Sequence, residues 1–290
     1  MADAQIFYDR GAVMKIAFSP CPNDTFVFHA WVHGLIPGAP KPDVLYADID
    51  VTNHLASRPD GPDVLKISYA ALPWVLDEYA LLPCGGALGR GCGPLVLTAS
   101  PASPETLSGR RVAVPSEKST AYLLFRLWVA RHVPGGVGEI VVMPFRDIMP
   151  AVRDGRVDAG LVIHEARFTY PAYGLSLLAD MGAWWEEDTG LPIPLGAIVA
   201  RRSLDVEAVA GWIRASVEYA WAHPEASREY VMSHAQEMDP DVVRAHIELY
   251  VNRFTADLGE EGYHAVQVLL ERAARERLVP PVDAARLRGR

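Results

Sequence analysis

Cysteine is scarce in this chain: Cys21, Cys84 and Cys92 are the only three in 290 residues. An odd set without C-x-x-C spacing supports neither a disulfide framework nor a zinc site, and reads as buried or loop thiols in a reducing cytoplasm. Long apolar runs are missing as well. The longest, Ile67 to Leu76, is bounded by Lys66 and Asp77 and broken by Pro73, far short of the roughly 20 residues of a membrane helix. The first residues, MADAQIFYDRGAVMKIAFSP, carry early acids and no basic stretch ahead of an apolar block. A secretory signal is therefore not expected, and residues 1–12, ahead of Met14 and the first strand, read either as an extension or as a misjudged start. Positive charge is in deficit, 27 Lys+Arg against 36 Asp+Glu for a net charge of −9, which argues against a nucleic-acid partner while allowing a local pocket for a small anion. There is no G-x-G-x-x-G, no phosphate loop of the G-x-x-x-x-G-K-[ST] type and no G-x-S-x-G elbow, so the common nucleotide and serine-hydrolase signatures are excluded. The glycines of 85–93 read as a flexible loop whose backbone can approach a ligand or a neighbouring lobe.

Half of the residues are hydrophobic, enough for a substantial core, and the length suits about two domains at roughly 100–200 residues each. The same sentence is written several times. Lys15 to Phe18 reads as a strand, 19–24 as a turn-rich loop, and Thr25 to His33 as a helix capped by Asn23 or Asp24 and stopped at Gly34. Val64 to Ile67 is a strand, followed at Ser68 by a turn or cap and by a helix over Tyr69 to Leu76, bent at Pro73. Arg111 to Val114 is a strand, and a loop at 115–119 leads into a helix over Thr120 to Arg131. A helix over Asp147 to Asp154 precedes Val157 to Ile163, a strand apolar enough to be buried on both faces. Strand, short loop and helix in repetition predict an α/β fold with parallel strands. From Leu204 the pattern turns helical. Val206, Val209, Ile213, Val217 and Trp221 form one stripe, Pro240 follows a capping Asp239, Gly259 to Leu278 is a last long helix, and 280–290 is a surface tail. The composition shifts predict a discontinuous lobe of residues 1–108 and 197–290 around an inserted lobe of 109–196. Its linkers, at 98–109 and 192–201, lie side by side, as in a two-lobed clamshell with a ligand cleft.

Ligands in open α/β sheets sit beyond the carboxyl ends of the strands. Four loops here occupy such ends: Ser19 to Asp24, Lys66 to Ser68, Pro115 to Thr120, and His164 to Arg167. Three lead into helix starts, whose free N–H groups and positive dipole end suit an anion such as a carboxylate. Lys66 adds a charge beside Ser68, and Ser119 and Thr120 add hydroxyls. Each loop alone reads equally as an ordinary cap. His164 closes a buried strand, and a neutral imidazole there can accept a proton at cellular pH; a hydrogen-bonded structural histidine is the alternative. Glu165, next along a strand, should point to the opposite face and pair with Arg167 or the other lobe. His29 and His33 have metal-like spacing without a supporting Glu. His223, His234, His246 and His264 fall in the helical tail, solvated or packed. Trp184-Trp185 reads as lobe packing, with a stacking cleft wall as the alternative.

The blocks Ser19-Pro-Cys-Pro-Asn-Asp-Thr-Phe26 and Ile163-His-Glu-Ala-Arg-Phe-Thr-Tyr-Pro171 resemble the 1,4-dihydroxy-6-naphthoate synthase family, enzymes of the futalosine route to menaquinone. Lys66-Ile-Ser-Tyr-Ala70, Ser119-Thr-Ala-Tyr122, Gly190-Leu-Pro-Ile-Pro-Leu-Gly196 and Tyr250-Val-Asn252 extend the resemblance over about residues 14–275. It implies the two-lobed fold of type II periplasmic-binding-protein-like domains. It implies cleavage of cyclic dehypoxanthine futalosine to 1,4-dihydroxy-6-naphthoate by a carbon–carbon lyase. It implies His164 as proton acceptor and a substrate held by Lys66, Ile67, Ser68, Ser119 and Thr120, with Asn23 at the cleft. No redox cofactor or metal is expected, nor a membrane. Trp184-Trp185 and the helical tail are candidate surfaces for a homodimer. Two other readings stand: chorismate dehydratase of the same route, and a non-catalytic protein that binds a small carboxylate.

Overall fold

A computed structural model describes residues 13–235 and 239–289; the expected extension at 1–12 lies outside them. Among the described residues eleven strands form two sheets. The first contains β1 (Lys15–Phe18), β2 (Asp43–Tyr46), β3 (Val64–Ser68), β4 (Tyr79–Leu81), β5 (Ala87–Gly89) and β11 (Ile193–Arg201), in the order β2-β1-β3-β11-β4 with β5 also on β11. The second contains β6 (Leu95–Thr98), β7 (Val112–Val114), β8 (Ile140–Val142), β9 (Ala159–Val162) and β10 (Ser176–Asp180), in the order β10-β6-β9-β7-β8.

Each sheet has the parallel core expected from strand–loop–helix repeats: β1 runs parallel to β2 and β3, and β7 to β8 and β9. Each also holds antiparallel strands that the repeats did not announce. β11 runs against β3, β4 and β5, and β6 against β9 and β10. The sheets divide the chain differently from the expected 108/109 and 196/197 boundaries. β6 belongs wholly to the second sheet and β11 wholly to the first, so the chain crosses at 90–94 and again at 190–192. LVLT and IPLGAIVAR are apolar runs that would suit either sheet, and nothing local in them says which.

Helix boundaries follow the caps. The first helix, Pro22–Val32, begins earlier than expected. Cys21 is its N-cap residue without a side-chain bond, and Asn23 and Asp24 sit inside the first turn. It is buried along nearly its whole length, its polar first turn included. It packs on the helix Val206–Ala222, where Ser216 donates to the Val27 carbonyl at 2.6 Å and accepts from the Trp31 N–H at 3.2 Å. On that second helix Val209, Ile213 and Val217 are fully buried, whereas Trp221, expected on the same stripe, lies outside at 42% exposure. Tyr69–Trp74 is a 3-10 turn rather than an α-helix, because Pro73 removes a donor in its middle. Ser119 caps Thr120–His132 by accepting from the Tyr122 N–H at 3.1 Å. Asp239 caps Pro240–Tyr250, which opens on Pro240. The tail is not loose: Ala284–Leu287 is a short helix and Leu287 is buried. No helix among the described residues is long and apolar enough to cross a membrane.

Candidate active site

All four strand-end loops meet at one cavity between the sheets. Ser19, Asn23, Asp24, Lys66, Ser68, Ser119, Thr120, Ile163 and His164 line it, joined by His246 and Tyr250 from the helix Pro240–Tyr250. Ile67 does not: its side chain alternates into the core and is fully buried there. Trp185 also lies in the core, its indole N–H on the Pro192 carbonyl at 3.0 Å, and Trp184 packs beside it at the edge of His132. Neither Trp lines the cavity, so the pair is packing, and Trp185 is withdrawn from any surface for a second copy.

The first-sheet wall is a closed polar network. Asp24, in the first turn of Pro22–Val32, pairs with Lys66 of β3, and both are buried. Burial raises the Asp24 carboxyl above its ordinary range, against the opposing pull of the Lys66 ammonium and of the Asn23 amide. Gly196 of β11 makes room for this pair, since a Cβ there would stand 2.6 Å from the Lys66 Cε. The charge expected beside Ser68 is therefore already compensated. Asn23 donates its Nδ2 to Asp24 at 2.8 Å, and its Oδ1 lies 3.0 Å from His246 Nε2. Ser68 is held at both ends by Asn53, which accepts from the Ser68 N–H at 2.8 Å and donates to its Oγ at 3.0 Å.

The second-sheet wall is sparser. β9 ends at Val162, and His164 stands in the turn beyond it with φ 55°, a left-handed conformation that non-glycine residues seldom adopt and that clusters at functional sites. The expected strand-end geometry of His164 and Glu165 therefore does not hold. Arg167 spans Asp180 at 2.5 Å and the carbonyls of Gly91 and Gly93. The His164 ring touches Cys21 from the opposite wall, Sγ to Nδ1 at 3.4 Å, stacks at 6.2 Å from His246, and meets Phe145 edge-on. Burial, then the Lys66 charge, lowers its pKa to about 4, so the ring is neutral at cellular pH. Burial pushes the Cys21 thiol well above its ordinary value, with Glu165 adding to the effect, and that keeps it protonated. At Ser119 and Thr120 the hydroxyls are spoken for. Ser119 donates to the Ser116 carbonyl, and Thr120 bridges the Leu195 carbonyl and the Ala70 N–H. What this corner offers an anion is the start of the thirteen-residue helix Thr120–His132, where the first N–H groups have no intrahelical acceptor.

His164 also lines an outer cleft with Asp48, Asp50, Phe145, Arg146 and Glu165. It thus stands at the junction of an inner, mostly apolar room and an outer, charged one. Cys21, His164 and Glu165 hold their ligand atoms within 4.8 Å of one another, the one group with metal-ligand chemistry found among the described residues. The glycine-rich segment is closely packed. β5 lies within it, and Gly93 at φ 147° backs so closely onto Gly182 that a Cβ would stand 2.7 Å from its backbone nitrogen.

Sequence reasoning missed three contributors. Asp24 is expected as a cap at the end of the Ser19–Asp24 loop, Cys21 as a buried or loop thiol, and His246 as a solvated or packed histidine of the tail. Their partners lie 42, 143 and 223 positions away in the chain, beyond any local pattern.

A family model for menaquinone biosynthesis matches residues 14–275. The chain is 70% identical to a 1,4-dihydroxy-6-naphthoate synthase of Streptomyces coelicolor over 270 residues, covering 92% of this chain and 95% of that one. It is 46% identical to the enzyme of the same name from Thermus thermophilus, covering 92% and 96%. A solved protein from Archaeoglobus fulgidus superposes with a TM-score of 0.84 at 34% identity, over 93% of this chain and all of that one. The periplasmic aliphatic sulphonate binding protein of Escherichia coli, at a TM-score of 0.68 and 14% identity over 94% and 91%, shares the fold alone. The architecture is thus that of periplasmic-binding-protein-like domains, and by sequence the chain belongs to the menaquinone-biosynthesis family.

Proposed function

We propose that this protein is a 1,4-dihydroxy-6-naphthoate synthase, a carbon–carbon lyase acting on cyclic dehypoxanthine futalosine. The observation that carries the mechanism is the placing of a neutral His164 between an inner apolar room and an outer charged cleft. The flat naphthalene part of the substrate suits the inner room, among Ile49, Ala87, Pro94 and Leu195. Its carboxylate rests at the start of Thr120–His132, because the Lys66 charge is already taken by Asp24. The sugar-derived part then faces Asp48, Asp50 and Arg146 outside, and the bond to be broken lies beside His164. His164 removes a proton from the sugar-derived part, the carbon–carbon bond opens in a retro-aldol sense, and the ring becomes aromatic. Three unpaired thiols fit work in a reducing cytoplasm.

The test is to incubate purified protein with cyclic dehypoxanthine futalosine and follow 1,4-dihydroxy-6-naphthoate by HPLC, with His164→Ala alongside. Product from the parent and almost none from the variant is expected. A folded parent that makes no product from it but converts chorismate would move the assignment to the dehydratase. Binding without turnover of either would favour the plain binding protein.

A further inference from the structure

His246 is buried at 1% exposure in the helix Pro240–Tyr250 and lines the inner cavity but not the outer cleft. Its hydrogen-bonding pattern is settled by its neighbours. Lys66 and the Asn23 amide nitrogen both donate to Asp24 Oδ1. That orientation turns the Asn23 oxygen toward His246, so the ring must carry its proton on Nε2 in order to donate at 3.0 Å. The other ring nitrogen, Nδ1, is then a lone-pair acceptor, and it is buried without any partner. An unmet acceptor in such a place is costly, and native interiors rarely keep one without a reason. Burial and the neighbouring His164 and Lys66 all act against protonation of the ring, so the acceptor cannot be silenced by taking up a proton.

We propose that His246 is a specificity-determining residue whose Nδ1 accepts a hydrogen bond from a ring hydroxyl of the dihydroxynaphthoate unit, completing a chain that runs from Lys66 through Asp24 and Asn23 to the ligand. The proposal rests on the function proposed above, which puts the ring in the inner room. Being confined to that room, His246 reads the ring and not the sugar. An acceptor held in one tautomer by a fixed chain separates a ligand bearing O–H from one of equal shape without it, because only the first satisfies the atom.

Two ligands isolate the effect: 1,4-dihydroxy-6-naphthoate, measured anaerobically, and naphthalene-2-carboxylate, the same skeleton without the hydroxyls. His246→Gln retains an amide N–H for Asn23 and removes the Nδ1 acceptor. It should weaken the dihydroxy ligand by about 2- to 12-fold, the range of one neutral hydrogen bond, and leave the plain naphthoate unchanged. Equal weakening of both, or of neither, would overturn the role of His246 while leaving the enzyme reading intact. Failure of the wild-type protein to bind either ligand would overturn both. Should the variant not fold, the wild-type protein with 15N-labelled histidine gives the same answer. The unprotonated His246 nitrogen should shift on adding the dihydroxy ligand and stay put with the plain one, and no shift with either would sink the idea.

Discussion

The two walls of the cleft are built on opposite plans. On the first-sheet side almost every polar atom is engaged before a ligand arrives: Asp24 with Lys66, Asn23 with Asp24 and His246, Asn53 with Ser68. On the second-sheet side the helix Thr120–His132 presents its start, where Ser119 accepts from the Tyr122 N–H, and His164 holds a left-handed turn with a thiol and two rings for company. The first wall is a frame whose charges cancel within it, with the His246 Nδ1 its one unmet acceptor. The other groups left available to a substrate lie on the second. A buried charge without its counter-charge is expensive, so the frame must be complete in the free protein. A proton acceptor must instead keep a nitrogen uncommitted, so the second wall must not be.

This contrast can be broken most sharply at His164. His164→Ala should reduce turnover by about 10²- to 10⁴-fold, the usual worth of a positioned base, with product affinity nearly unchanged; a comparable loss of affinity would move His164 into the frame. At Asp24 the expectation reverses. Asp24→Asn strands the Lys66 ammonium in the interior and should cost about 3–5 kcal/mol of stability in a denaturant titration. Stability equal to the parent would show that the pair is no frame at all. The pH dependence of kcat/KM sharpens the second wall. His164 must be neutral to accept a proton, and its pKa is lowered from 6.5 to about 4. Activity should therefore persist on acidification and be lost only as the pH falls through about 4. A limb near 6.5 would mean that the ring titrates as if in water, with the walls apart. Ser119→Ala is the mildest cut. Loss of the cap on Thr120–His132 should cost about 1 kcal/mol of stability, together with a small rise in KM from a frayed helix start.

The loops of both walls were legible in the sequence; the pairing that closes the first wall was not. Ser119 announces a helix by its place before an apolar run, and the strand-end rule led to the loops at 19–24, 66–68, 115–120 and 164–167, all of which reach the cavity. Those are local signals. The frame depends on pairs such as Asp24 with Lys66 and Asn23 with His246, which only the folded chain brings together, and a histidine on a late helix carries no mark of its neighbour. Sheet membership failed for the same reason: β6 and β11 look alike as apolar runs and differ only in the strands they meet. Even at His164 the sequence suggested the end of a strand, whereas the turn after Val162 sets the ring by a backbone conformation that no residue pattern there spelled out.

The place of β11 in the first sheet has a consequence in time. It lies between β3 and β4 and also carries β5, yet it follows all of them by the entire second sheet. A chain growing from its N-terminus can close the second sheet, which is continuous from Leu95 to Asp180, before the first has its central strand. Until Ile193–Arg201 emerges, β3, β4 and β5 expose edges that only this late segment can pair. Contacts so distant in sequence are closed slowly. The wall that holds the finished frame thus cannot be complete until this late segment has joined it, although its first three strands precede the whole second sheet.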